Sequence, residues 1–535
     1  MLRRKRTNSR ATPAKRSDNR SGSKFKMQPL DRAALITMAL LSVAIVSMLL
    51  FSSRALPRVR TFSWQDKAVS ANDIAFLMEF TQPVDSQSVE KNLTIDPPLP
   101  GKFSWVGRKM AYTLAVPAPY GEKYEISLPT ARVINNEEKL EAFETAFKTR
   151  DRIFAYIGVE GEERGRLVMY NTTNQEKTIL TDDASRVMNF KPYPERDRIL
   201  YSATSDSQEP NSFPELYTVS TGLPATSKPP RWQFWRSGEP LPAGTTQKLL
   251  DNQTYQNLKF DLSLDGKVIV IQRVNRDKVS DAGPWVIADG KAPQKLETAP
   301  SGDFKIAPDS LSLLLQQGKG TAIISLDDTS TDGLAERSTN RKEQADELLG
   351  FLPDYGLALD VASDGSAAAL VNFNQDDPEK QFTQSLFWVS NRGEEKELYQ
   401  TEGGVISAQF SDDNKILYGL FSRPFSGEEY QLIPYLSAIN VETGEVRELL
   451  EMPPQPDITV SLSPDGWAIL FDEALASDSN AESPAENSKE AADRPTHRLW
   501  LLPLFNTLEE RLSGEPIALP ATELEIFGKH PEWLP

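Results

Sequence analysis

One unit recurs along the C-terminal part of this 535-residue chain, and it restricts the fold more than any other feature. An alternating strand runs into a tight turn built on Asp with Gly or Asn, and an apolar strand returns. Copies stand at 186–203, 257–272, 302–317, 356–373, 405–421 and 457–473. The turn aspartates Asp265, Asp309, Asp364, Asp413 and Asp465 are 44, 55, 49 and 52 residues apart, close to the repeat of about 40–50 residues that builds propeller blades. Asp caps its own backbone and Gly accepts positive φ, so the chain reverses within two residues. These aspartates therefore read as structural. Second strand pairs follow at 165–181, 385–401 and 435–451, and four strands make one blade. Residues 153–181 supply only three strands, and the final segment EIFGKHPEWLP (525–535) reads as the missing leading one. A ring sealed in this way exposes no strand edge. The fold class expected is all-β: a seven-bladed β-propeller over 151–535, preceded by a small β-sandwich and a single N-terminal transmembrane helix.

The sandwich is expected at 71–150. Ile74, Phe76, Met78 and Phe80 alternate with polar neighbours, as do Tyr124, Ile126 and Leu128, with turn signals between the runs. Upstream, 21 uncharged residues, AALITMALLSVAIVSMLLFSS, lie between Arg32 and Arg54. As a helix they would span roughly 31 Å, about the hydrocarbon thickness of a bilayer. A cleaved signal peptide, cut near Ser53 and Ala55, would have an apolar core of only about 7–15 residues, so the length favours an uncleaved anchor over 33–53. Eleven Lys/Arg against two Asp in residues 1–32 keep that tail in the cytoplasm and send the body across. The tail reads as disordered and loosely attracted to anionic lipid, and 54–70 as a linker.

Charge and cysteine narrow the setting. The net charge of −17 combines a +9 tail with a body of −26, which repels phosphate backbones and argues against a nucleic-acid partner. The absence of cysteine excludes disulfides, thiolate nucleophiles and Cys–metal sites. An exported chain of this size without disulfides fits a bacterial envelope, at the inner (plasma) membrane with its body periplasmic.

Two stretches resemble known families. FTQPVD, LTIDPP, GKFSW, GEKYEISL and FETAFKTR within 73–150 resemble the bacterial Ig-like domain of the SbsA type. That resemblance implies a spacer or adhesion module without catalytic residues. The repeats resemble those of TolB-like propellers, whose hallmark is P-x-W-S-P-D-G; Leu462–Gly466 (LSPDG) is the nearest copy. That likeness implies a fold and no particular function.

Functional signals are sparse. The longer connections, 204–214, 274–283, 374–384, 422–433 and 474–497, share one face of a propeller and form the expected binding surface. In PPRWQFWRSG (229–238), Arg231, Trp232, Trp235 and Arg236 are the candidate binding residues: an exposed aromatic clamp for sugar or lipid headgroups, or a loop tucked against the wall. Asp328, Ser330, Asp332 and Gly333 echo a calcium loop, but the closing position falls on Thr339, so no metal is expected. The acidic stretch 472–496 reads as disordered. Only His497 and His530 are present, and no G-x-S-x-G, H-E-x-x-H or phosphate loop occurs. With no catalytic residue or cofactor indicated, the expectation is a non-enzymatic scaffold binding an envelope protein or glycan. A carbohydrate-active enzyme using a carboxylate pair is the alternative. A sensor whose tail meets a cytoplasmic partner is a third.

Overall fold

The computed structural model describes residues 29–52, 57–134, 139–205, 213–225, 240–288, 290–326, 348–425, 431–455, 457–475 and 496–535, with the backbone alone at 29–35, 48–52 and 348–349. Each expected strand–turn–strand unit is a hairpin. In the second repeat Ser263 Oγ donates to Asp265 Oδ1 (2.7 Å), the Lys267 amide donates to the same oxygen (3.1 Å), and Gly266 takes φ +70°. Ser411–Asp413 and Ser463–Asp465 repeat the first bond. Arg196, Ser310 and Asn414 occupy the positive-φ position that Gly fills in the other three.

The hairpins extend into seven four-stranded antiparallel sheets among the described residues. Numbered in chain order, the second to seventh blades begin with inner strands Ser185–Pro192, Tyr255–Leu262, Ser301–Ile306, Leu357–Val361, Val405–Phe410 and Val460–Leu462. The first blade takes its inner strand from the end of the chain: Gly528–Trp533 pairs antiparallel with Ile153–Gly158, Trp533 opposite Phe154. Seven hydrophobic cores lie between neighbouring sheets. The last joins blade seven to blade one through Leu470, Leu499, Phe154, Tyr156 and Trp533. No single sheet closes on itself; the circle is made of sheets, so each apolar face is covered by the next.

Two further four-stranded sheets occupy residues 59–149. One consists of Val59–Phe62, Ala75–Phe80, Lys109–Leu114 and Gly101–Val106, the other of Ala68–Val69, Phe143–Thr149, Lys123–Leu128 and Thr94–Asp96. They enclose one core rich in aromatic rings, where Trp64 meets Phe76 and Phe147 edge-on at 5.2 and 4.9 Å. Two short helices depart from the all-β expectation. Ser86–Asn92 lies in this module, and Leu508–Ser513, capped by Thr507 and Glu510, interrupts blade seven.

Pro29–Ser52 is a 24-residue helix whose apolar side chains from Ile36 to Val46 are exposed. Among the described residues no helix is long and apolar enough to cross a membrane. The transmembrane helix expected at 33–53 is thus not shown, and its side chains lie partly outside those described.

The module sits on the turn side of the ring. Asp465, fully buried, accepts from the Tyr120 amide (2.8 Å) and from Arg152 (3.1 Å). Arg150 donates to the Pro535 carbonyl (3.0 Å).

Candidate ligand site in the central channel

One polar side chain per blade stands at an equivalent position of the inner strand: Lys191, Asp261, Lys305, Asp360, Gln409, Ser461 and Glu532. Six of the seven inner strands carry a register shift just before it. Such bulges re-aim side chains, and here they turn this position toward the neighbouring blade. Asp261 accepts from the Ile306 amide (2.8 Å), Asp360 from Phe410 (3.0 Å), Gln409 from Leu462 (2.9 Å) and Ser461 from Trp533 (3.2 Å). The lysines pair sideways: Lys191 with Asp261, and Lys305 with Asp360 at 3.3 Å. One step nearer the loops, Lys259 pairs with Asp303.

A cavity of about 400 Å³ opens among these residues, lined from all seven inner strands. On its loop side the unpaired bulge residues Met188, Leu258 and Ile406 are exposed. On its turn side Tyr193, Ser263, Ala307, Ala362, Ser411, Ser463 and Leu534 are all buried. The channel is therefore open toward the loops and packed toward the N-terminal module.

The carboxyls in it are driven apart. Burial would raise Asp261, but the Lys191 and Lys305 ammoniums and the Ile306 amide hold it below the usual carboxylate range. Burial pushes Glu532 up to about 7, against the pull of Lys191 and Lys305. Asp360 raises Lys305. At the loop-side rim His530 holds Thr459 Oγ1 through Nδ1 (2.8 Å) and gives its amide to Asp472 (3.0 Å); burial lowers its imidazole. Among the described residues no group of three or more His, Asp or Glu could hold a metal ion.

Arg231, Trp232, Trp235 and Arg236 lie outside the described residues, as do most of 327–347 and 476–495. One of the longer connections, 374–384, is bridged internally. Asn374 bridges Thr383 and Ser385, and Lys380 pairs with Glu397. Beside this loop a second cavity, about 490 Å³, lies between blades four and five, with Lys319, Phe373, Asp376 and Lys380 among its walls. The channel ring was not anticipated from sequence, although its spacing is regular: it stands four residues ahead of Asp265, Asp309, Asp364, Asp413 and Asp465.

Sheets arranged in a circle around a lined channel, with the last strand completing the first blade, define a β-propeller protein carrying an N-terminal two-sheet module. No protein-family model and no curated protein matches the chain. Solved structures similar to it include TolB from Acinetobacter baumannii (11% identity, 83% of each chain covered, TM-score 0.38). Oligogalacturonate lyase from Vibrio parahaemolyticus is 10% identical over 60% of this chain and 88% of its own, with a TM-score of 0.40. A putative 6-phosphogluconolactonase from Bacteroides fragilis is 14% identical over 72% and 97%, with a TM-score of 0.41. These likenesses decide no activity.

Proposed function

We propose that this chain is a membrane-anchored, extracytoplasmic interaction protein of the bacterial envelope, a seven-bladed propeller held off the inner membrane by an Ig-like spacer. The observation that carries this reading is the opposite placement of attachment and access. The module grips the packed turn side through Tyr120, Arg150 and Asp465, while the open channel mouth and the described connections 274–283 and 374–384 belong to the other side. The module's far end, where Arg58 and Thr81 bond and the Pro57 carbonyl takes the Glu141 amide, holds the module's first described residues. Strands of six or seven residues separate these ends by about 20 Å. An anchor at Pro29–Ser52 would then present the loop face away from the bilayer, toward an envelope protein or glycan. Pull-down with the exported body from envelope extract should recover a partner that is lost when 374–384 and 422–433 are shortened. Recovery of nothing, or of the same partner after trimming, refutes the reading.

A second reading, a carbohydrate-active enzyme, draws on the split between Glu532, raised to about 7, and Asp261, lowered. One carboxyl held protonated beside one held ionised is the division of labour in glycoside hydrolysis. Turnover of envelope polysaccharide abolished by Glu532→Gln or Asp261→Asn would favour it; no turnover by the native protein removes it.

A further inference from the structure

The charges facing the channel do not cancel. Lys191 is matched by Asp261, Lys259 by Asp303 and Lys305 by Asp360. Glu532 is left over, and among the described residues its carboxyl has neither a hydrogen bond nor an ion pair. Thr459 and the Asp472-bound backbone already engage His530, so that ring is committed elsewhere. The space beside Glu532 is large enough for more than solvent, and although most of its wall is polar, the apolar side chains of Leu359 and Ile406 belong to its lining. Leu359 and Ile406 are the extra residues of their bulges, each without a partner across the strand pair. A neutral or anionic ligand would leave the surplus carboxylate as it stands or oppose it. A compact cation with a short apolar stem pairs with that carboxylate and packs on those two side chains.

We propose that the channel binds a primary ammonium group, paired with Glu532 and carried on a short aliphatic stem that packs against Leu359 and Ile406. An ammonium suits this place better than a guanidinium, because it is a compact point charge that needs no planar two-oxygen partner. Lys191 and Lys305 turn their own ammoniums to Asp261 and Asp360, which blunts their repulsion of the incoming charge. The inference rests on the reading of the propeller as a binding platform and names what its channel takes. The same chemistry is offered by a free alkylamine or by a lysine side chain of a partner.

Binding requires Glu532 ionised, and that carboxyl sits near 7 in the free protein, whereas an alkylammonium keeps its proton to about pH 10. Ligand affinity is therefore linked to proton release: it rises with pH below 7 and levels above. Of the other groups facing Glu532, Asp261 is held below its ordinary value and Lys305 above, burial lowers the His530 imidazole, and Lys191, Lys259, Asp303 and Asp360 complete the surroundings.

The test is calorimetric titration of the detergent-solubilised full chain with n-butylammonium, n-butanol and butyrate between pH 5.5 and 8.5. Butylammonium affinity should increase roughly thirtyfold across that span, with n-butanol and butyrate binding at least tenfold more weakly at pH 8.5. Glu532→Gln should remove the pH dependence and weaken binding at least tenfold. Affinity independent of pH in the native protein, or n-butanol binding as tightly, overturns the proposal whether or not the variant folds. N-acetyl-lysine methylamide separates the two sources: binding of both probes supports a partner's side chain, and binding of butylammonium alone supports a free amine. A partner recovered by pull-down without butylammonium binding refutes this inference alone. Butylammonium binding without any partner refutes the interaction-platform reading alone.

Discussion

Replacing Asp465 with alanine removes the acceptor on which the N-terminal module rests. Its carboxylate takes the Tyr120 amide at 2.8 Å and the Arg152 guanidinium at 3.1 Å, and it is fully buried. A buried amide left without a partner costs about 1–3 kcal/mol. Stripping a buried ion pair of one member costs about 3–5 kcal/mol, but Arg152 keeps 30% of its side-chain surface in water and can recover part of that. A combined local loss of about 2–4 kcal/mol follows. The assay is amide hydrogen exchange at Tyr120, which reads the opening of this contact directly. Its protection should fall roughly 30- to 1,000-fold in the variant, since about 1.4 kcal/mol is tenfold. Asp364→Ala is the control, because Asp364 occupies the same turn position, where it accepts from Ser366 at 3.0 Å and meets Asn414, with no bond to the N-terminal module among the described residues. Tyr120 protection should be unchanged there. Equal losses in both variants, or none in Asp465→Ala, would refute the idea that this turn has been recruited as the docking point.

Four further outcomes are expected. Glu532 is raised from 4.5 to about 7 on folding, so its contribution is fully present below pH 4.5 and is lost as pH rises through 7; in Glu532→Gln, urea midpoints should lack that decline over pH 4.5–7. Lys305→Met strands Asp261 and Asp360 beside an apolar side chain and should destabilise the fold by about 3–5 kcal/mol. Arg423→Met, which breaks an exposed cluster with Glu448 and Glu451, should cost about 1 kcal/mol or less by the same denaturation. Deleting 528–535 uncovers the edge of Ile153–Gly158 and removes buried Trp533, so light scattering should report self-association of the truncated chain; a monodisperse product would show that the final strand does not seal the ring.

What could be read from sequence follows from how far each interaction reaches along the chain. The turns were legible because their chemistry closes within a few residues: Ser263 finds Asp265, Ser411 finds Asp413, and Gly266 supplies the positive φ. The final strand was legible because Pro531, Trp533 and Pro535 stand at the spacing of the P-x-W-S-P hallmark that the repeats resemble. Glu532, between those two residues, was passed over. Its equivalents are Lys, Asp, Lys, Asp, Gln and Ser, which share no residue type. Each is chosen to complement the blade beside it, and a ring of alternating charge requires neighbours to differ. Only the spacing is conserved within the chain, four residues ahead of the turn aspartate, and spacing without a common side chain does not look like a motif.

Asp465 failed to stand out for the opposite reason. It makes the same local bond as its fellows, and what distinguishes it is Tyr120, 345 residues earlier in the chain. A residue can thus serve its turn and still hold two bodies together, because one carboxylate oxygen suffices for the turn: Ser463 takes Oδ1, and Tyr120 and Arg152 share Oδ2. The channel ring works in the same way. Asp261 gives one oxygen to Lys191 and the other to the Ile306 amide, so a single side chain joins three blades. Glu532 is the one carboxyl of that ring with neither oxygen spent, and this leaves it open to a partner from outside the fold.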